Sequence, residues 1–316
     1  MQHFDAARTR AGLPFGPLID ALRQAFAAGC EVPLRHTHTI AGAAGQPLGT
    51  VLLMPAWRPG GRLGIKTVNV FPDNAALGKP GLHAVYTLFD AGTGEPLAQL
   101  DGDEITVRRT VAASALAAGW LARSDASRLV VVGAGRVARW VPAAMLAARP
   151  ALREVQVWNH RSEGAEALAR QWREEGLAAS AVDDLEAAVR QADIVSCATL
   201  STQALVHGAW LRPGTHLDLV GGFTPSMREA DGECLRRARV WVDTAEALAK
   251  AGDLLQAVAE AAFDPARLQG TLADLCRGTS SGRASADEIT LFKSVGTALE
   301  DLAAAELVLD TAATPR

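Results

Sequence analysis

The sequence predicts an α/β protein in which an open, doubly wound parallel sheet is inserted into a mixed α+β domain. Three observations predict it. An apolar run enters a glycine turn at residues 130–138, VVVGAGRVA. Apolar strands and helical segments then alternate as far as Asp243, and the stretches on either side of this region follow different patterns.

In the turn, Gly133, Gly135 and Ala138 make a Gly-x-Gly-x-x-Ala spacing between a β-branched strand and a small-residue helix from Arg139 to about Ala148. Gly133 permits the tight turn, Gly135 lets backbone N–H groups approach a pyrophosphate, and Ala138 lets helix and strand pack closely. The helix N-terminus adds partial positive charge. Strand, turn and helix in this order predict a Rossmann dinucleotide-binding domain, with Gly133, Ala134, Gly135, Arg136, Val137 and Ala138 as the phosphate cradle.

The elements that follow fit βαβ units: strand Glu154–Trp158, helices over 163–175 and 184–191, and strands Asp193–Ala198, His216–Val220 and Val240–Asp243. Ahead of the turn, Leu18, Ile19, Leu22 and Phe26 share a helix face. Strands are expected at Gly49–Met54, Leu63–Val70, Val85–Phe89 and Leu97–Leu100, then an Ala/Leu-rich helix over Ile105–Leu121. At the other end, Ser285 and Glu288 have capping-box spacing, and Ile289, Phe292, Val295, Leu299 and Leu302 recur at helical intervals. One long helix is expected there, returning to the first domain. The divisions are therefore 1–118, 119–288 for the nucleotide domain, and 289–316 for the returning helix.

Composition narrows the function. The 316 residues are 49% hydrophobic and 21% charged, enough for sizeable cores and unlike a disordered chain. A net charge of −4 argues against a nucleic-acid partner. No run approaches the ~18 apolar residues of a membrane span, and the first residues lack signal-peptide order, so a cytoplasmic protein is expected. Cys30, Cys197, Cys234 and Cys276 form no C-x-x-C pair and read as reduced thiols.

The end of the second nucleotide-domain strand bears on the cofactor. An NAD enzyme usually carries an acid there for the ribose 2′-OH. Trp158-Asn-His-Arg-Ser162 has none, and Asn159, Arg161 and Ser162 suit a 2′-phosphate, with Arg136 adding charge. NADPH is thus preferred and NADH possible. Thr199 and Val220-Gly221-Gly222 follow strands at carboxyl ends, where the rest of the cofactor should lie. Lys66 sits in an apolar strand, a costly place for an ammonium without a function. No metal site is read: His36 and His38 share a strand face without a third ligand. Serine-type nucleophilic catalysis is also rejected, because Ser201, Thr202 and Thr279–Gly282 lack a His–Asp partnership.

Five segments in order across nearly the whole chain together resemble the ornithine cyclodeaminase/μ-crystallin family. They are Gly64–Pro72, Ile105–Ala113, the glycine turn, Val220–Asp231 and Glu288–Gly296. The resemblance implies a homodimer whose substrate-binding and dimerisation domains, here 1–118, pair through a mixed sheet, with the active site in the cleft between domains. It also implies that Arg35, Lys66 and Arg109 clamp a substrate carboxylate; Lys66, or water ordered by it, is the candidate for keeping the imine protonated. Thr110, Lys293, Ser294 and Gly296 would lie at the cofactor. Arg108 points about 100° away from Arg109 on a helix and is expected at the surface or an interface.

Within the family, cyclodeaminases carry an Asp where this chain has Phe223, which cannot accept a proton. The string Gly222-Phe-Thr-Pro-Ser-Met-Arg-Glu-Ala-Asp231 looks instead like the bacterial reductases of cyclic imino acids. These reduce Δ1-pyrroline-2-carboxylate to L-proline and Δ1-piperideine-2-carboxylate to L-pipecolate, in amino-acid and hydroxyproline metabolism. The expected partner is thus a small cyclic imino acid, with no nucleic acid or membrane. Alternatives are a cyclodeaminase-type lyase with retained NAD, an alanine-dehydrogenase-like oxidoreductase, and a non-catalytic μ-crystallin-like binder of NADPH or a small ligand.

Overall fold

A computed structural model describes residues 1–313, and the chain divides into two units: residues 1–109 with the segment from Thr297 onward, and residues 110–296. The first unit carries β1 (Gln2–Phe4), α1 (Ala6–Ala11), α2 (Phe15–Ala28), β2 (His36–Ala41), β3 (Pro47–Trp57), β4 (Arg62–Val70), β5 (Leu82–Asp90) and β6 (Pro96–Asp101). The sheet order is β1-β6-β5-β4-β3-β2. Strands β2 to β6 form an antiparallel meander, and β1 adds in parallel against β6.

Alternation sets its two faces. Met54, Lys66, Tyr86 and Leu100 stand opposite one another in register, and all four are buried. The C-terminal helix Ala298–Ala313 packs on β3, β4, β5 and α2. Residues between the buried ones, such as Leu53, Ile65 and Thr87, are half-buried, and Val85 is exposed.

The helix α3 (Gly102–Leu121) runs from the first unit into the second. There follow β7 (Arg128–Val132), α4 (Val141–Ala148), β8 (Glu154–Trp158), α5 (Ser162–Glu174), β9 (Ala179–Ala181), α6 (Leu185–Gln191), β10 (Ile194–Cys197) and β11 (His216–Leu219). The unit ends with α7 (Gly232–Arg237), β12 (Arg239–Val242), α8 (Ala247–Lys250), α9 (Gly252–Ala259), α10 (Leu272–Arg277) and β13 (Thr290–Lys293), and the C-terminal helix is α11. The sheet order is β12-β13-β11-β10-β7-β8-β9, with every pairing parallel. Strand order reverses between β7 and β10, the switch point at whose carboxyl edge ligands bind in such sheets. This is the doubly wound fold the glycine turn predicted.

Three expectations are corrected. The tail is not one helix from 289: Thr290–Lys293 is strand β13, every residue of it buried, and α11 starts only at Ala298. A short apolar run buried on both faces carries no period of its own, so the 3–4 spacing with Val295 and Leu299 was accidental. Glu288 caps no helix; its carboxylate takes the Ala284 N–H and pairs with Arg239. Arg108 is not at the surface either. It is buried, its Nε donates to the Leu13 carbonyl (2.8 Å), and its guanidinium lies 4.2 Å over the Phe15 ring. Lys293, expected at the cofactor, is a fully buried residue of β13. Cys30, Cys197, Cys234 and Cys276 form no disulfide among the described residues.

Candidate active site

In the first unit, β4 carries Lys66 into the buried sheet face, and the start of α11 delivers Glu300 and Asp301 to the same place. Asp301 bridges two cations: Oδ2 lies 2.6 Å from Lys66 Nζ, and Oδ1 accepts from Arg109 Nε at 2.9 Å. Glu300 takes a further bond from Arg109 Nη1 at 2.6 Å. Burial lowers the Lys66 ammonium to about 8; Arg109 acts in the same direction and Asp301 against it. Burial would raise the Asp301 carboxyl, but Lys66 and Arg109 outweigh it and hold it below its ordinary value. Two cations and two carboxylates give this group formal neutrality. Of the three expected clamp residues, the structure joins Lys66 and Arg109. Arg35 is half-buried just before β2 and among the described residues forms no ion pair with Glu300 or Asp301.

In the second unit, a cavity of about 930 Å³ opens at the carboxyl ends of β7, β8 and β10. Gly133, Ala134, Gly135, Asn159, Arg161 and Thr199 line it. Gly133 has φ +110°, and a Cβ there would come within 2.7 Å of the Ala198 carbonyl, so the turn requires glycine. A Cβ on Gly135 would meet nothing within 4 Å, which leaves its backbone open to a ligand. The size and this bare backbone fit a dinucleotide, whose pyrophosphate the Gly133–Ala138 turn would hold. Asn159 Nδ2 donates to the Arg161 carbonyl (2.9 Å) and fixes the loop that presents the exposed Arg161 and Ser162.

Other expected cofactor residues are placed differently. Arg136 is exposed on the turn, while Val220, Gly221, Gly222 and Ser294 are buried at strand ends. Lys293 Nζ pairs with Asp253 at 3.0 Å and donates to the Gly221 carbonyl. Gly296, at φ +76°, donates its N–H to Asp243. Thr110 is half-buried on α3.

The family model for the ornithine cyclodeaminase/mu-crystallin family matches residues 14–315. The chain belongs to this family. A Δ1-pyrroline-2-carboxylate reductase of Paracoccus denitrificans is 41% identical over 87% of this chain and 89% of its own. Among solved structures, a Δ1-pyrroline-2-carboxylate reductase of Thermococcus litoralis, in complex with NADH and L-proline, matches with a TM-score of 0.90 and 31% identity. That match covers 99% of this chain and 97% of the other. An archaeal alanine dehydrogenase dimer with bound NAD matches with a TM-score of 0.90 and 28% identity, over 99% and 96%.

In this member of the family, sequence reasoning passed over several residues. Glu300 and Asp301 are an acidic pair inside an Ala/Leu-rich helix, a signal of the same kind that singled out Lys66. Glu163, one residue beyond the motif used to choose the cofactor, also lines the cavity. Glu229 and Asp253 are fully buried carboxylates behind its wall.

Proposed function

We propose that this protein is an NAD(P)H-dependent reductase of cyclic imino acids, converting Δ1-pyrroline-2-carboxylate to L-proline and Δ1-piperideine-2-carboxylate to L-pipecolate. The observation that carries the reading is the buried Lys66–Asp301–Arg109 group. A protonated cyclic imino acid is a zwitterion with one carboxylate beside one C=N bond, so it adds no net charge to a neutral buried site. Lys66 and Arg109 would hold the carboxylate, with Arg35 as a third donor, and the short Lys66–Asp301 contact would maintain the imine proton. When bound, the reduced nucleotide supplies a hydride to the imine carbon, while the C=N π pair passes to nitrogen, which keeps its proton. The names of the 41% identical relative and of the Thermococcus structure support this substrate class. Phe223, 45% exposed and without a proton-accepting atom, weighs against ornithine cyclisation.

On the cofactor we propose NADPH over NADH, carried by Arg161 in the cavity lining. We also propose a homodimer. The sheet face opposite Lys66 presents the half-buried Leu53, Ile65 and Phe89 and the exposed Val85, apolar residues that a second copy would cover. No helix among the described residues is long and apolar enough to cross a membrane.

The test is NADPH oxidation at 340 nm with each imino acid, repeated with NADH. Turnover of either substrate with a preference for NADPH is expected. No turnover with either nucleotide, alongside ammonia release from ornithine, would replace this reading with a lyase.

A further inference from the structure

Behind the cavity wall formed by Thr199 lies Glu229, fully buried. Its Oε1 accepts the Thr199 N–H at 2.7 Å and the Thr199 hydroxyl at 2.8 Å. The same oxygen presses on Gly221, where a Cβ would lie 2.4 Å away. Its Oε2 has no hydrogen-bond partner among the described residues. The carboxyl thus touches the segments that leave β10 and β11, the strand ends at which the part of the nucleotide beyond the phosphate turn, its nicotinamide end, is expected.

The groups that face Glu229 come from three elements. Lys293 arrives from β13, Asp253 from α9 and Cys197 from β10. Lys293 and Asp253 are fully buried and paired with each other, so their charges cancel. Burial first, and the neighbouring carboxylates next, push the Cys197 thiol well above its ordinary value and keep it neutral. Asp218 on β11, fully buried and pushed up to about 6 by burial, also acts on Cys197 and is pulled down by Lys293, so the charge of this buried cluster follows Glu229 through neutrality and Asp218 at lower pH.

We propose that Glu229 is a positioning residue for the nicotinamide end of the bound nucleotide: its ionised carboxyl fixes Thr199 and favours the oxidised nucleotide over the reduced one. This rests on the reading of the cavity as a nicotinamide nucleotide site. The two forms share their phosphates, riboses and adenine and differ in the ring, which is cationic when oxidised and neutral when reduced. A buried charge near that ring therefore separates them where surface charges do not. The sign favours the product form of the nucleotide, so the same carboxyl assists reduction of the imine. Burial pushes the Glu229 carboxyl up, Lys293 pulls it back and Asp253 pushes it further, to about 7, so the preference switches on as pH rises through neutrality. Linkage requires the converse: binding the oxidised form lowers the Glu229 pKa and releases a proton.

The experiment measures dissociation constants of NADPH and NADP⁺ for the full chain by calorimetry from pH 5.5 to 9, for the wild type and for Glu229→Gln. Titration of the 2′-phosphate is common to both nucleotides and cancels in their ratio. In the wild type, the affinity for NADP⁺ relative to NADPH should rise about tenfold across neutrality, as one unit of pKa displacement between the two complexes requires. Proton release on NADP⁺ binding should accompany it, and Glu229→Gln should abolish both effects. A flat wild-type ratio, or a variant that follows the same titration, overturns the proposal. The wild-type arm stands even if the variant does not fold. Absence of binding by either nucleotide would overturn the reading of the cavity itself.

Discussion

Lys66 and Asp301 form an ion pair of 2.6 Å whose side chains are 2% and 0% exposed. Taking two ions so far out of water is repaid only by close geometry and further hydrogen bonds, which the Asp301 bond to Arg109 supplies. Asp301→Asn should therefore be strongly destabilising. It leaves two buried cations facing one carboxylate, Glu300, and breaking a buried pair in this way costs about 3–5 kcal/mol. Urea denaturation measures the loss, and a change under 1 kcal/mol would show that the pair is not buried in solution.

The same pair sets a pH dependence. Burial, with Arg109 acting in the same direction, lowers Lys66 to about 8, so the ammonium is complete below that pH and lost above it. On the proposed role of this cation at the substrate carboxylate, kcat/KM for the imino acid should fall as pH rises through about 8. Asp301 opposes the lowering, so Asp301→Asn should move the fall to lower pH. Lys66→Met should lack this limb and lose at least about 100-fold in kcat/KM, in the range of a lost general acid–base group, while NADPH binds with unchanged affinity. A Lys66→Met enzyme with wild-type kcat/KM would remove Lys66 from the mechanism.

Much of this arrangement was legible in the sequence where the signal is local. The VVVGAGRVA turn carries its chemistry within nine residues, and Lys66 stood out because its neighbours along the strand are apolar. Partnerships across the chain were not legible. Asp301 is 235 positions from Lys66, and no periodicity links β4 to α11. Arg108 looked superficial because a helical wheel fixes its direction but not what lies there, and the Leu13 carbonyl and the Phe15 ring cover it. Thr290–Lys293 misled in the opposite way. Burial on both faces erases the alternation that marks β4, and chance spacing then imitated a helix.

Gly133 tests the turn. Its φ of +110° lies where L side chains are strained, and a Cβ would press on the Ala198 carbonyl at 2.7 Å. Gly133→Ala should cost about 1–3 kcal/mol of stability and weaken the nucleotide, because relief requires the turn to move away from β10. Thermal melts with and without NADPH separate the two effects. A variant as stable and as tightly bound as the wild type would show that the turn adopts another conformation.

On the proposed preference for NADPH, Arg161 should discriminate between the two nucleotides. Its guanidinium is exposed at the cavity rim, where a 2′-phosphate would gain a charge-assisted bond worth about 1.5–3 kcal/mol and a 2′-hydroxyl much less. Arg161→Ala should accordingly lower kcat/KM for NADPH by roughly 10- to 100-fold and change that for NADH by less than about threefold. The loop should survive the substitution, since Asn159 bonds to the Arg161 backbone carbonyl rather than to its side chain. Glu163 pulls the other way: a carboxylate in the same lining accepts from a 2′-hydroxyl and repels a 2′-phosphate. Equal losses with both nucleotides in Arg161→Ala would mean that the 2′ position lies elsewhere, whereas a loss confined to NADPH places it beside Arg161.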